Sequence, residues 1–541
     1  MSWWQVLIVC LVAFVVWDFR RFRHAKAAGQ PFAPAWYTGP GPARDTPVNP
    51  PAGISESVSV ILRRQIPPRF EAPRSWLGGL PMLPDHVEWP RSVSSEHPER
   101  GERPLHFVGQ IACADLPAEL WGGLGPRDGW LLLFVDPNEG VPEGPDPFRV
   151  LHVDTLGIER QPPADLGPVH DGVYTGPSYD YCRTIDDVPK LWRRWPVDLV
   201  AVPNTIAKEG NRTIVVPGNF AEILYAGQPV APERQRPSDP EPFTWRGALY
   251  VLDSIERSFA KPLEELRIPD TLVEKLNRPG YVASIIAASE ADDAKWTASS
   301  QVWLEGPEPE DDAERERRAR IRAVAEVRRT RREALTAFLA HYSTPDAIVD
   351  HLRQSNDRWR DWRAAVRERV AGERSAVLAH ELDSPIPDAA WQALKGRLRQ
   401  DAFRFWTYRW VERDGDSLHV SFEEIEVSAY ADKRSGIREL AADYYVDPAH
   451  RSLIPPSVLR EFEPHWRSLD DNRPHRMGGY HDGLQSNAEA GPVRELLLFQ
   501  IATDSAMHWC WGDTGAYYVF VDPDALKALN FSNATMILEC H

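Results

Sequence analysis

Residues Trp3 to Trp17 read as one apolar run broken only by Gln5, and after Phe19 no comparable run returns. The run approaches the ~20 residues that a membrane-crossing helix needs, and Trp3, Trp4 and Trp17 bracket it as interfacial anchors. A stretch rich in Pro, Gly and Ala follows, with too few apolar positions to bury and a tendency toward extended polyproline geometry. Short β-like runs then alternate with turn residues: Val58–Leu62, Trp130–Val135, Val197–Val202, Thr213–Val216 and Ala248–Leu252. From Glu310 to Glu333 the pattern becomes helical and mostly Glu and Arg, with sparse apolar residues at Ile321, Val324 and Val327. Thr344-Pro345-Asp346 has the form of an N-cap with Pro at the first helical position, and a further helix opens near Asp388. Strand-like runs return at Leu418–Phe422, Leu496–Ile501, Ala516–Val521 and Met536–Leu538.

These textures predict a transmembrane helix over residues 1–19, a basic flank and Pro/Gly-rich linker over 20–55, and a first β-rich half over 56–305. A charged helical insertion over 306–410 and a second β-rich half over 411–541 complete the expected order. The two β-rich parts share a pattern. Gln110-Ile111-Ala112, Gly129 and Phe134-Val135-Asp136-Pro137 in the first answer to Gln500-Ile501-Ala502, Gly515 and Phe520-Val521-Asp522-Pro523 in the second. The expected fold is therefore α+β, a duplicated β-rich body with pseudo-two-fold halves interrupted by a helical insertion. Two half-sheets curling toward each other would leave a cleft, with Gln110 and Gln500 as a polar pair that backbone groups must satisfy.

Composition narrows the function classes. The net charge of −17 argues against a general nucleic-acid binder, which carries a basic footprint. Five cysteines without a CxxC pair argue against a disulfide framework or zinc ribbon. Arg20, Arg21, Arg23, His24 and Lys26 follow the apolar run and no charged residue precedes it, so the positive-inside rule expects a single-pass anchor with the body in the cytoplasm. The 21 tryptophans exceed the usual share and read as core rings.

The chain resembles the YwqG-like family of bacterial proteins, a domain of unknown function. The resemblance rests on Ser75-Trp76-Leu77-Gly78-Gly79-Leu80-Pro81, Leu83-Pro84, Trp89-Pro90, Phe107-Val108-Gly109-Gln110-Ile111 and Asp115-Leu116-Pro117. It continues in Gly478-Gly479-Tyr480, Gln485, Leu498-Phe499-Gln500-Ile501, Trp511-Gly512-Asp513 and Cys540-His541. It implies a duplicated α+β fold and no established reaction; the anchor and the helical insertion depart from the pattern.

Signatures for nucleotide loops, nucleophile elbows and zinc proteases are absent from the sequence, so no catalytic residue and no cofactor is expected. The densest polar segment supplies candidate ligand-binding residues: Arg473, His475, Arg476, Gly478, Gly479, His481 and Gln485. Glycines there permit close backbone approach, and the arginines suit a carboxylate or phosphate. After Asp504, the residues His508, Cys510 and Asp513 have metal-ligand identities without a known ligand spacing. Arg358-Trp359-Arg360-Asp361-Trp362-Arg363 suits a partner helix or an anionic membrane surface, against the plainer reading that the tryptophans pack on a neighbouring helix. Three functions follow as expectations. The first is a membrane-anchored protein-interaction or scaffolding module that binds a protein partner through residues 306–410; the second is a small-ligand-binding or enzymatic domain with its site between the repeats. The third is an immunity-type protein that binds a toxin.

Overall fold

The computed structural model describes residues 57–540 except 70, 72–73, 95–96, 139–146, 172–175, 205, 210–211, 216–223, 232–235, 261–267, 307–310, 401, 414–416, 431–433, 470–472, 480 and 482–494. The expected anchor over residues 3–19 and its basic flank lie outside the described residues. Among the described residues no helix is long and apolar enough to cross a membrane. Nine α-helices and a large β-sheet are described, and the chain divides into two compact units. Among the described residues, one unit gathers those up to Ser178, Val188–Ser238 and those from Ala441 onward. The other gathers Tyr179–Asp187 and Asp239–Leu440.

The first unit is built on ten strands: β1 (Val58–Arg64), β2 (Trp76–Leu77), β3 (His106–Ala112), β4 (Trp130–Val135), β5 (Phe148–Val153), β6 (Trp195–Pro203), β7 (Arg476–Met477), β8 (Leu496–Ala502), β9 (Ala516–Val521) and β10 (Thr535–Glu539). All seven residues of β3 and all seven of β8 are buried. Burial at every position belongs to strands covered on both faces, and it takes in the polar His106, Gln110 and Gln500 as well as the apolar residues. The strand order is β10-β9-β8-β7-β1-β6-β2-β3-β4-β5, and every neighbouring pair is antiparallel. Outward from the central pair β1 and β6, each side meets a two-residue strand, then the Gln-Ile-Ala strand, then the strand ending at Phe-Val, then an edge.

Finer detail repeats as well. Trp76 lies opposite Gln110 and Arg476 lies opposite Gln500. The register slips between Phe107 and Gly109 and, at the matching place, between Leu497 and Phe499. Cys113 N–H donates to Gly129 O at 3.0 Å, and Thr503 N–H donates to Gly515 O at 2.9 Å. The expected cleft between two half-sheets is corrected by this arrangement. Val58–Arg64 pairs along its whole length with Val197–Pro203, so the halves form one continuous sheet. Gln110 and Gln500 are fully buried. Gln110 Oε1 accepts from Met82 N–H at 3.2 Å, and Gln500 Nε2 donates to Pro474 O at 3.1 Å, so both amides fasten backbone segments inside the sheet.

The second unit contains helices α1 (Trp245–Ala260), α2 (Asp270–Leu276), α3 (Tyr281–Glu305), α4 (Asp312–His341), α5 (Pro345–Leu378) and α6 (Asp388–Arg399), with a long hairpin of Ala402–Arg413 against Ser417–Ser428. Thr344 Oγ1 accepts from Ala347 N–H at 3.3 Å and caps α5, with Pro345 at its first position. Leu335, Phe338, Leu339, Ile348 and Leu352 share a core with Val420 and Phe422 of the hairpin.

The helical part begins at Trp245, well before residue 306, and the hairpin belongs with it. Ala248–Leu252, expected as a strand, lies inside α1. Its buried residues Ala248, Val251, Leu252 and Ile255 have helical spacing, which a five-residue window hides. Trp359 and Trp362 stack on each other at 5.0 Å and rest on the hairpin's Phe405 and Phe403. A strand receives them, with Phe259 of α1 also against Trp362, in place of the single neighbouring helix expected. Arg363 of the same segment is buried too, donating to Phe259 O.

Candidate functional site

Three places concentrate polar chemistry. The first is a buried node in the sheet unit. Arg64 ends β1, His475 immediately precedes β7, and Asp504 follows β8; all three are buried. The Arg64 guanidinium meets Asp504 Oδ2 and donates from Nη2 to the carbonyls of Trp466 (2.7 Å) and Ser468 (3.0 Å). These carbonyls lie at the C-terminal end of the helix Pro456–Trp466, where a cation is favoured. Asp504 Oδ1 accepts from Ala506 N–H (2.8 Å) and Met507 N–H (3.2 Å), forming an Asx turn.

His475 Nδ1 accepts from Ala502 N–H at 3.2 Å, and Nε2 lies 2.8 Å from Asp504 Oδ2. The accepting Nδ1 fixes the tautomer, so the proton sits on Nε2 and the ring is neutral. Burial, and then the Arg64 charge, push the His475 pKa down to about 3. Both ring nitrogens are occupied, so this histidine takes no proton from a substrate as it stands. Trp509 meets its ring edge-on at 5.3 Å, and Trp192, Trp509 and Trp511 pack on one another with centroids 5.4–5.6 Å apart. The tryptophan excess thus serves core closure here.

The candidate ligand loop is corrected in part by these positions. His475 and Arg476 point inward, with Arg476 fully buried opposite Gln500 and Ile61. Neither offers a donor to a solvent anion. Gly478 and Gly479 take φ of +67° and +69° in a buried turn. Arg473 is half-buried. His481 lies edge-on to Tyr518 and Phe520. Gln485 lies outside the described residues. The metal candidates do not converge. Asp504 serves the node, Cys510 Sγ points to Gly512 O at 3.5 Å, and His508 occupies a turn with φ of +57°. Among the described residues no group of three His, Cys, Asp or Glu side chains can hold a metal ion.

The second place is a cleft of about 380 Å³ in the sheet unit, lined by Gln65, Arg69, Arg74, Asp115 and Asp198 among others. Asp198 accepts from Arg63 Nη2 at 2.8 Å and Gln65 Nε2 at 2.9 Å, and also pairs with Arg69. Arg74 pairs with Asp115 at 2.9 Å. No catalytic or ligand-binding motif marks these residues in the sequence. Their signal is the four arginines Arg63, Arg64, Arg69 and Arg74 within twelve positions of an acidic chain.

The third place is helix α4, which carries nine arginines against five carboxylates. Arg328 and Arg332 tie it to Asp292 and Asp293 of α3, and Arg318 donates to Gly306 O at the end of α3. Another face stays open. Arg320, Val324, Val327 and Arg331 follow i, i+4, i+7, i+11 spacing and share one side of the helix. Val324 is 46% and Val327 50% exposed. Arg320 pairs only locally with Glu316, and Arg331 lies 3.9 Å from Glu423.

A family model described as a domain of unknown function (DUF1963) matches residues 75–198 and 324–540, more than half of the chain. The match takes in α5, α6 and the hairpin. Those elements are therefore part of the family pattern, which corrects the expectation that residues 306–410 form an insertion relative to it. Residues 199–323, with α1, α2 and α3, lie between the two matched parts. No curated protein matches the chain.

Proposed function

The chain belongs to this family of unknown function, and on that footing we propose that it is a protein-interaction module whose helical unit docks an acidic partner helix. The open face of α4 carries the reading. Two valines one turn apart remain wet on the N-terminal stretch of a stripe that is buried further along at Leu335 and Phe338, and arginines bracket them on the same face. Exposed apolar residues framed by charge mark a docking strip more than a solvated surface. A partner helix with small apolar residues toward the valines and Asp or Glu toward Arg320 and Arg331 complements it. The −17 net charge disfavours a nucleic acid in that role.

The finer reading adds a tether. Residues 3–19 would hold the protein to a membrane with its body in the cytoplasm, and the resemblance carried by the segments around Trp76, Gln110 and Gln500 would make it a YwqG-like bacterial protein. An enzymatic role has less support, because the node's histidine has both ring nitrogens engaged.

A photo-crosslinking residue at position 327 of the full chain tests the docking face in cells. Position 329, on the opposite side of α4, is the control. One protein trapped at 327 and not at 329, through an acidic helical segment, supports the reading. The purified segment should then bind at least about tenfold more weakly to the Arg320→Glu, Arg331→Glu double variant, as loss of close charge pairs predicts. Equal trapping at both positions, or binding indifferent to charge reversal, overturns it.

A further inference from the structure

We propose that the cleft between Arg69 and Arg74 binds a small zwitterion of the class of free α-amino acids and short peptides. The cleft lies in the sheet unit, remote in sequence from the α4 face, so this site stands or falls independently of the docking reading. Its lining combines Val197, Asp198 and Leu199 of β6 with the charged side chains Arg69, Glu71, Arg74 and Asp115.

Asp198 does not offer its charge outward. Arg63, Gln65 and Arg69 all reach it, so it acts as an anchor that holds Arg69 and Gln65 in place. Arg69 and Arg74 have side chains 64% and 57% exposed, and each guanidinium has five N–H donors. The known partners use only part of that set, which leaves donors for a carboxylate. Asp115 is 35% exposed beside Arg74, and Glu71 is exposed at the rim. Both can receive an ammonium group.

Charge balance selects among ligands. Two guanidinium groups and three carboxylates line the cleft, and Arg63 beneath Asp198 brings the signs to equality. A simple anion or a simple cation gains one attraction and meets one repulsion there. A molecule carrying both signs, with its carboxylate at the arginines and its ammonium at Asp115 or Glu71, gains both. The volume lies at the lower end of small-molecule sites, about 300–1,000 Å³, and suits an amino acid or a dipeptide.

The duplication supplies a second line of support. In the second half of the sheet the acidic residue after the Gln-Ile-Ala strand, Asp504, is buried by His475 and Arg64. In the first half Ser75 stands where His475 does and Ala114 where Asp504 does, while the next residue, Asp115, pairs with Arg74 at the cleft. The two halves have diverged at this point, one toward a closed node and the other toward an open polar cleft.

Calorimetric titration of the full chain with the free amino acids and a set of dipeptides tests the site, with acetate and methylammonium as single-charge probes. At least one zwitterion should bind saturably at one per chain, and acetate and methylammonium should not. Arg74→Ala and, separately, Asp115→Asn should each weaken it at least tenfold while circular dichroism stays unchanged. Should the first variant fail to fold, the second carries the test. Three outcomes overturn the proposal: no zwitterion saturating by about 1 mM, acetate binding as well as any zwitterion, or full binding retained in a folded variant.

Discussion

His475 occupies the position that Ser75 holds in the other half of the sheet, and the comparison isolates what the larger side chain adds. Ser75 Oγ accepts from Ala112 N–H at 2.9 Å, and His475 Nδ1 accepts from Ala502 N–H at 3.2 Å, so each satisfies the same backbone donor. The histidine extends further and gives its Nε2 proton to Asp504, which in turn holds Arg64. A buried ion pair is weak evidence for net stability, but removing one member leaves the other charge stranded. Asp504→Ala takes the carboxylate from Arg64 and His475 together and should destabilise the sheet unit by about 3–5 kcal/mol. Urea unfolding checks this, and a loss below about 1 kcal/mol would show that the carbonyls of Trp466 and Ser468 suffice for Arg64. The sequence marked His475 and Arg476 by polar density and adjacent glycines. Such density does not tell inward from outward, because the strand partners that bury these residues, Ile61 and Gln500, lie far away along the chain. Arg64 looked like any charged residue at a strand end, and its partner Asp504 is 440 positions away.

Among the elements, the two-residue strands β2 and β7 depend on the glycine pairs that follow them. Gly78 and Gly79 take φ of +62° and +70°, nearly the values of Gly478 and Gly479. The conformation is one that side-chain-bearing residues rarely adopt, and space is also lacking. A Cβ on Gly78 would run into the carbonyl oxygen of Arg193, which is backbone and cannot swing aside. Gly78→Ala should therefore destabilise the protein by more than the roughly 1 kcal/mol of an ordinary strained glycine substitution. Gly227→Ala is the control: its φ is +77° and a Cβ there meets nothing within 4 Å, so it isolates backbone strain from crowding. Equal losses in the two variants, read from denaturation midpoints, would assign the whole effect to φ. The repeated strands were legible in sequence because Gln-Ile-Ala and Phe-Val-Asp-Pro recur, with the same spacing from Gly to Phe in both copies and a loop of different length before it, and the start of α5 was legible from Thr344 and Pro345. The joining of the halves was not. β1 and β6 carry no shared motif, and their pairing is set by long-range register between residues about 140 apart. Of the hairpin, Leu418–Phe422 reads as a strand from its residues while Ala402–Trp410 falls in the stretch expected to be helical, and its tryptophans and phenylalanines pack on helices, which places it in the helical unit.

At the scale of the whole molecule, the two units differ in which groups burial has discharged. His475 and His106 both belong to the sheet unit, and burial first of all drives their pKa down, to about 3 and about 4. His106 Nε2 lies 3.1 Å from Gly167 O, and its ring packs near Trp192. In the unfolded chain each returns to about 6.5. Between those values the unfolded state binds protons that the folded state does not, so stability rises with pH there. The contribution is complete above about pH 6.5 and is lost as pH falls toward 4 and then 3. Two such groups give a slope of about 2.7 kcal/mol per pH unit near pH 5, twice the value for one proton. In the helical unit His351 is shifted down by burial as well, but its side chain remains partly solvated and its effect is smaller. Asp253, raised by burial against the pull of Arg374, acts with the opposite sign and favours the folded helices as pH falls. Acidification from about pH 7 to about pH 5 should therefore weaken the sheet unit before the helical one. Urea equilibration at the two pH values, followed by pulse hydrogen exchange at one fixed labelling pH, separates them by peptide. Residues 58–64 and 496–502 should lose protection at lower urea in acid, while residues 245–260 and 345–378 shift less. Equal shifts would mean that the chain unfolds as one cooperative body, and a larger shift in the helices would remove the buried histidines as the acid-sensitive groups.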